Sequence, residues 1–518
     1  MRIFQTAMVG AFAATLLAGA AFAETLTIGT RNETTSIDPH FYNTSSNHQI
    51  NAHTFQYLIE KDERQQLKPS LAVSWKPIDD KVWEIKLRKG VKWTDGSPFT
   101  ADDVMANVER AKSGIVKTTS PSYRFMLGID HKKIDDYTIH TTTGTVYPLM
   151  PAYLSVAPLI PRKFAKATTA DYNSGKATMG TGPYKFVEWI KGDRVVLVKN
   201  PDYWGDKPVW DKIVYKVIKS DPSRLAAMLN GDVDLIDYVP TTDYRSVKNN
   251  SKLAISEIPS NRVIYLVLDQ KGAKTPYAKT NDGKEMPNPM NNRKIRKAIS
   301  LAINREAIVD RVMEGAGFPA GQLPVSGMFG YNPGIKPDPY DPEQAKKLLA
   351  EAGYPNGFQL TVHGPNDRYV NDGKITETIG QMLTKVGIRT KVHTEPKATF
   401  FKNAWTYSLV VLGFGSDTGE ASSAFTALLH SPIKEKNLGR VNRTGYANPE
   451  FDTLVDTALM TLDNKKREKL LQDAGQVAAD DTAFIATHYQ VNVWAHRPDL
   501  KYTARTDERT YGMYVTKK

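Results

Sequence analysis

At 518 residues the chain is too long for one hydrophobic core, so two or three domains are expected. Hydrophobic content of 41% and charged content of 24% are those of a soluble globular protein, and beyond the N-terminus no apolar run approaches the roughly 20 residues that cross a bilayer. The absence of cysteine excludes disulfides, thiol nucleophiles and Cys-ligated metals; the net charge of +12 is scattered, and its densest runs, broken by Ile295 and Glu468, carry no stacking aromatics, so no nucleic-acid partner is expected.

The chain opens on a targeting signal. Arg2 supplies the positive end, Ala7 to Ala18 is apolar, and Ala21-Phe22-Ala23 has the small-x-small form read by signal peptidase. Residues 1–23 are therefore expected to be removed, leaving Glu24 first. A lipoprotein needs a cysteine at that processed end, so a freely diffusing periplasmic protein is expected. Thr25 to Gly29 reads as a short strand and Ser36-Ile37-Asp38-Pro39 as a turn. His40, His48 and His53 lack the i, i+4 spacing of a helical metal pair and are expected at the surface. Trp83, Ile85 and Leu87 alternate with charged residues as a half-buried strand that Gly90 breaks, and Thr100 with Asp103 forms a capping box. Asp135 to Thr143 is a further strand, and residues from about 60 to 178 are expected to form a strand-rich subdomain.

Gly180-Thr181-Gly182-Pro183-Tyr184 lacks the third glycine of a nucleotide loop, and Pro183 blocks helix entry, so no nucleotide is expected there. Asn292 to Ala307 is predicted as one amphipathic helix, and Asp341-Pro342 starts another as N-cap and first residue. From Gln359 the pattern alternates: strand to His363, a helix carrying Ile375, Ile379, Leu383 and Val386, strand from Ile388 to Thr394, a helix near Lys397 to Trp405, then a buried strand from Ser408 to Leu412. Such βαβ order marks a parallel sheet, whose ligands bind beyond the carboxyl ends of the strands. Two polar loops are expected at that edge. One holds Asn366 and Arg368; the other, from Gly413 to Glu420, holds Phe414, Ser416 and Asp417, and its glycines are expected to end the strand. Between Val263 to Leu268 and Gln490 to Trp494 the chain leaves one domain and returns, which implies a hinge.

Several segments together resemble the family 5 extracellular solute-binding proteins, the dipeptide-, oligopeptide- and nickel-binding type that serves bacterial ABC importers. They are Asp38-Pro39, Pro69 to Trp75, Leu87 to Gly96 with Phe99 to Val104, Gly180 to Tyr184, Asn200-Pro201-Asp202-Tyr203-Trp204 and Asn292 to Arg305, within a match from about Glu24 to Tyr514. The resemblance implies an α/β fold, two-lobed and type II-like, with an extra subdomain in the first lobe. The expected division is lobe I from 24 to 265, lobe II from 266 to 489 and a return to lobe I from 490 to 518.

That resemblance also implies a solute enclosed between the lobes, transmembrane subunits of an ABC transporter as partners, a monomer, and no catalytic residue, metal or cofactor. Asp417 matches the position that pairs with a ligand's α-ammonium, and Arg368 falls in the region that holds a ligand carboxylate. Asn366, Ser416, Phe414 and, in the first lobe, Asn43 complete the expected contacts. The downstream Asp-Pro of the dipeptide binders is Glu420-Ala421 here, which leaves a peptide, a glutathione-like peptide, an opine, a sugar-phosphate conjugate or a metal chelate open. His430 and His488 are the histidines a chelate would use, and each is expected to be structural or exposed. A hydrolase is disfavoured: no Gly-x-Ser-x-Gly or His-Glu-x-x-His occurs.

Overall fold

The computed structural model describes residues 24–41, 44–116, 126–416 and 418–518. The signal segment lies outside the described residues. Through the molecule runs one sheet of thirteen described strands, centred on an antiparallel ribbon of Ala254–Leu268 and Ile485–His496. The strands Leu409–Gly415, Gln359–Pro365 and Arg389–Glu395 extend it on one side. Leu235–Ile236, Thr25–Thr30, Lys212–Val217, Arg194–Lys199 and Tyr184–Ile190 extend it on the other. Both wings contain parallel pairs, Thr25–Thr30 with Lys212–Val217 and Gln359–Pro365 with Arg389–Glu395, and the second is the pairing that the strand-helix-strand order from Gln359 predicts.

The ribbon changes register between Pro259 and Val263. A bulge there loosens the ladder and bends the strand. Helices cover the second lobe's wing on both faces, with Ile375, Ile379 and Leu383 of Asp372–Lys385 fully buried against it.

A separate four-stranded antiparallel sheet, Ala72–Asp79, Val82–Leu87, Thr138–Thr143 and Ile129–Asp135, forms the subdomain with the helix Ala101–Lys112. Its alternation is as the sequence implies: Trp83, Ile85 and Leu87 point into the core. The capping box is present, with the Thr100 N–H donating to Asp103 Oδ2 at 3.0 Å. Arg110 on that helix reaches back to the N-terminal turn. It donates to both Asp38 oxygens at 2.9 and 3.2 Å, and both side chains are fully buried.

Three local expectations are corrected. His40, His48 and His53 are buried, because each ring satisfies a core polar group. His40 Nδ1 accepts from Arg110 at 2.8 Å, so its Nε2 carries the hydrogen donated to the Pro158 carbonyl. Burial and the Arg110 charge hold that imidazole near 4, hence neutral. The helix from Asn292 stops at Ala302, and Arg305–Ala307 is a new turn. Asn304 Oδ1 accepts the Ala307 N–H at 2.8 Å, and such local side-chain bonding competes with helix continuation. The strand from Leu409 continues through Gly413 and Phe414 to Gly415, paired with Arg262 to Ile264. A glycine is required at Gly413: a Cβ there would lie 2.7 Å from the Tyr369 ring and 2.9 Å from Ile264.

Candidate functional site

The two polar loops meet at the carboxyl ends of Gln359–Pro365 and Leu409–Gly415, and Tyr369 joins them by donating its hydroxyl hydrogen to the Gly413 carbonyl at 3.1 Å. Asp372 sets the first loop, accepting from the Arg368 and Tyr369 amides at 2.8 and 2.9 Å. Arg368 is exposed, its guanidinium 5.0 Å over the Tyr369 ring. Asn366 is also exposed, and its backbone N–H donates to the Glu395 carbonyl at 3.1 Å. Phe414 is half-buried against the second-lobe core.

Ser416 is buried, and its hydroxyl is occupied within its own loop by Ser423 at 2.7 Å and the Gly419 amide at 3.2 Å. Its carbonyl accepts from Asn261 on the crossing strand at 2.8 Å. Glu420, the loop's other carboxylate, pairs with Arg467 and Ser422 inside the second lobe. Asp417 and Asn43 lie outside the described residues.

The lobes touch here. Gln66 Nε2 donates to the Gly327 carbonyl and Asn371 Nδ2 to Thr241 Oγ1 at 3.0 Å. Between them lies a cavity of about 60 Å³. Gln65, Asp507, Glu508 and Arg509 wall it from the first lobe; Asn261, Arg262, Gly415 and Ser416 wall it from the crossing strand and the second lobe. Burial pushes the Glu508 carboxyl up, yet Arg262, donating at 3.1 Å, and Ser260 hold it below the ordinary range, with the Arg368 charge adding to the effect. Arg505 does the same for Asp507, donating to both its oxygens at 3.1 and 2.9 Å. Gln65, Tyr238 and Glu508, all beside this boundary, adopt left-handed backbone at φ 65°, 51° and 63°. Each such residue costs about 1–3 kcal/mol, a strain that clusters at ligand clamps.

Of the residues expected from the sequence, Ser416 lines this cavity, and Tyr369 of the first loop reaches the neighbouring strand. Sequence reading misses Gln65, Arg262 and the run from Arg505 to Arg509. That run looks like a solvated charged tail; the only signal against this reading is the density of paired opposite charges so close to aromatic Tyr502 and Tyr511. The other named histidines are structural: His430 Nδ1 meets the Ser431 carbonyl at 2.7 Å and Nε2 meets Asp456 at 3.2 Å, while His488 is wholly buried. A larger cleft of about 720 Å³, where Arg88 lies 4.4 Å over Trp204, is lined by residues between 52 and 88, 183 and 209, and 501 and 516.

The sequence model of the bacterial extracellular solute-binding proteins, family 5 (middle), matches residues 66–436. The chain is 28% identical to the heme-binding protein A of Haemophilus influenzae over 89% of its own length and 85% of that protein. It is 29% identical to the glutathione-binding protein GsiB of Pectobacterium atrosepticum, over 87% of this chain and 86% of that one. In three dimensions it superposes on HbpA2 from Haemophilus parasuis with a TM-score of 0.83 at 22% identity, covering 95% of this chain and 100% of that one.

Proposed function

The chain belongs to the bacterial extracellular solute-binding proteins of family 5, and from that membership we propose that it captures a peptide-like polar solute between its lobes and delivers it to the transmembrane subunits of an ABC importer. The observation that carries this reading is the cavity at the carboxyl edge of the parallel strands, walled by Asp507, Glu508 and Arg509, by Arg262 of the crossing strand, and by Gly415 and Ser416 of the second lobe. Mixed charges suit a solute bearing an ammonium and a carboxylate, which desolvates without leaving unpaired charge. Asp417 is the ammonium partner in this reading, and Arg368 stands at the cleft mouth as a carboxylate partner. A short anionic peptide of the glutathione type heads the candidates, since it offers both groups in one small molecule.

The test is native mass spectrometry of the purified protein for a retained solute, followed by titration calorimetry with that solute and a short-peptide panel. A retained hydrophobic or metal-only ligand, with no heat from any peptide, would overturn the peptide reading.

Two further outcomes are expected. Residues 24 to 265 and 490 to 518 move as one body against 266 to 489, so X-ray scattering gives a smaller radius of gyration with solute than without, the ribbon's bulge at Pro259 to Val263 serving as hinge. An identical radius in both states contradicts the hinge. The exported protein begins at Glu24 and is released by osmotic shock; intact mass showing residues 1–23 retained, or a membrane-bound product, contradicts that.

A further inference from the structure

The cleft holds a cation that its own carboxylates do not neutralise. Arg505 takes both oxygens of Asp507 and also donates to the Asp62 carbonyl at 3.0 Å, while Arg262 and Ser260 share Glu508. Arg509 is left over. Its Nε is buried with no hydrogen-bond partner, its Asp507 contact is at 4.0 Å, and its Nη1 reaches only the Tyr511 hydroxyl, at 3.4 Å. Next to it on the same cavity wall, Gln65 is 4% exposed and its Nε2 has no acceptor. Burying such donors unpaired is costly, so native structures almost always supply an acceptor.

Both donors line a cavity of about 60 Å³, several times the roughly 10–15 Å³ that one water needs. A carboxylate-sized group fits there. With Arg505, which pairs with Asp507 without lining the cavity, the cluster sets three guanidiniums, those of Arg262, Arg505 and Arg509, against the carboxylates of Asp507 and Glu508, a single positive excess that suits a carboxylate better than a phosphate carrying about two.

We propose that Arg509 and Gln65 hold a carboxylate of the captured solute from the first-lobe wall of the cleft. This rests on the reading of the cleft as the solute site. The solute's carboxylate then sits on Arg509, on the wall opposite Gly415 and Ser416. The planar Arg fork with an amide N–H beside it matches the two oxygens of a carboxylate.

The test uses reduced glutathione and dialanine, each as free acid and as C-terminal amide, with calorimetry on wild type, Arg509→Gln and Gln65→Leu. The solute retained through purification is run alongside. Wild type is expected to prefer acid over amide by about thirtyfold, and Arg509→Gln to reduce that preference to about threefold with amide affinity and unfolding temperature kept. Gln65→Leu is expected to lose part of the preference in the same direction. Equal loss for acid and amide, or an acid preference that survives in both variants, overturns the anchor while leaving the peptide reading in place. Wild type that binds no peptide counts against the peptide reading; the retained solute then decides the anchor, which falls if Arg509→Gln binds that solute as wild type does.

Discussion

Asp417→Asn is expected to weaken binding of an amine-bearing solute by about 3 kcal/mol, roughly a hundredfold, while leaving the fold and its unfolding temperature unchanged. The loop after Leu409–Gly415 has two carboxylates, and Glu420 is spent on Arg467 and Ser422 within the second lobe. Asp417 is the loop's other carboxylate, next in sequence to Ser416, which lines the cavity. A buried ammonium that loses its counter-charge but keeps an amide of the same shape forfeits most of the pair's attraction without losing packing. Calorimetry on both proteins with the retained solute measures the difference. Affinity within about twofold of wild type would move the ammonium partner off this loop, because loop carboxylates without a ligand change stability or binding by under about half a kcal/mol.

Arg110→Leu should cost about 3–5 kcal/mol of stability, since it leaves the Asp38 carboxylate buried without its cation. Arg110 holds Asp38 through two charged hydrogen bonds, with Thr169 Oγ1 donating a third at 2.7 Å. Burial raises the Asp38 carboxyl, yet the Arg110 charge and hydrogen bonds bring it below the ordinary value of 3.8. The sign of the pH dependence follows. A lowered folded pKa gives stability that is present above about pH 4 and lost as pH falls through the folded value. Without Arg110 burial is opposed only by lesser effects such as the Thr169 hydrogen bond, the folded pKa rises, and the variant recovers relative stability as Asp38 takes up a proton. The gap between wild type and variant is therefore widest at neutral pH and narrows in acid. Urea unfolding at pH 7 and near pH 4 measures both; a loss under about 1 kcal/mol at pH 7, or a gap that widens in acid, contradicts the account.

The same pair explains why Asp38-Pro39 belongs to the family pattern. It is not a ligand group: it ties the N-terminal turn to the subdomain helix, far along the chain, at a buried joint. Gly180 and Gly182 are likewise structural. A Cβ on either would lie 1.7 Å from the Thr54 carbonyl oxygen or 2.3 Å from that of His53, so the motif marks a close backbone approach.

What the sequence determined by itself is whatever is written in consecutive residues. The alternation of Trp83, Ile85 and Leu87, the capping box at Thr100, the strand and helix order from Gln359 to Leu412 and the family motifs all act over a few residues, where burial period and capping chemistry are local. They sufficed for the α/β class, the parallel wing and the edge at which the polar loops meet. Tertiary structure alone decided which charges face the cleft. Glu420 and the Arg505 to Arg509 run look alike as strings of charge, yet Glu420 is neutralised by Arg467 from a distant helix, while Arg505 takes both Asp507 oxygens and leaves the buried Arg509 Nε without a hydrogen-bond partner. Whether a buried charge is satisfied depends on every segment packed around it. Here those segments lie hundreds of residues apart, and only the folded ribbon brings them to one cavity.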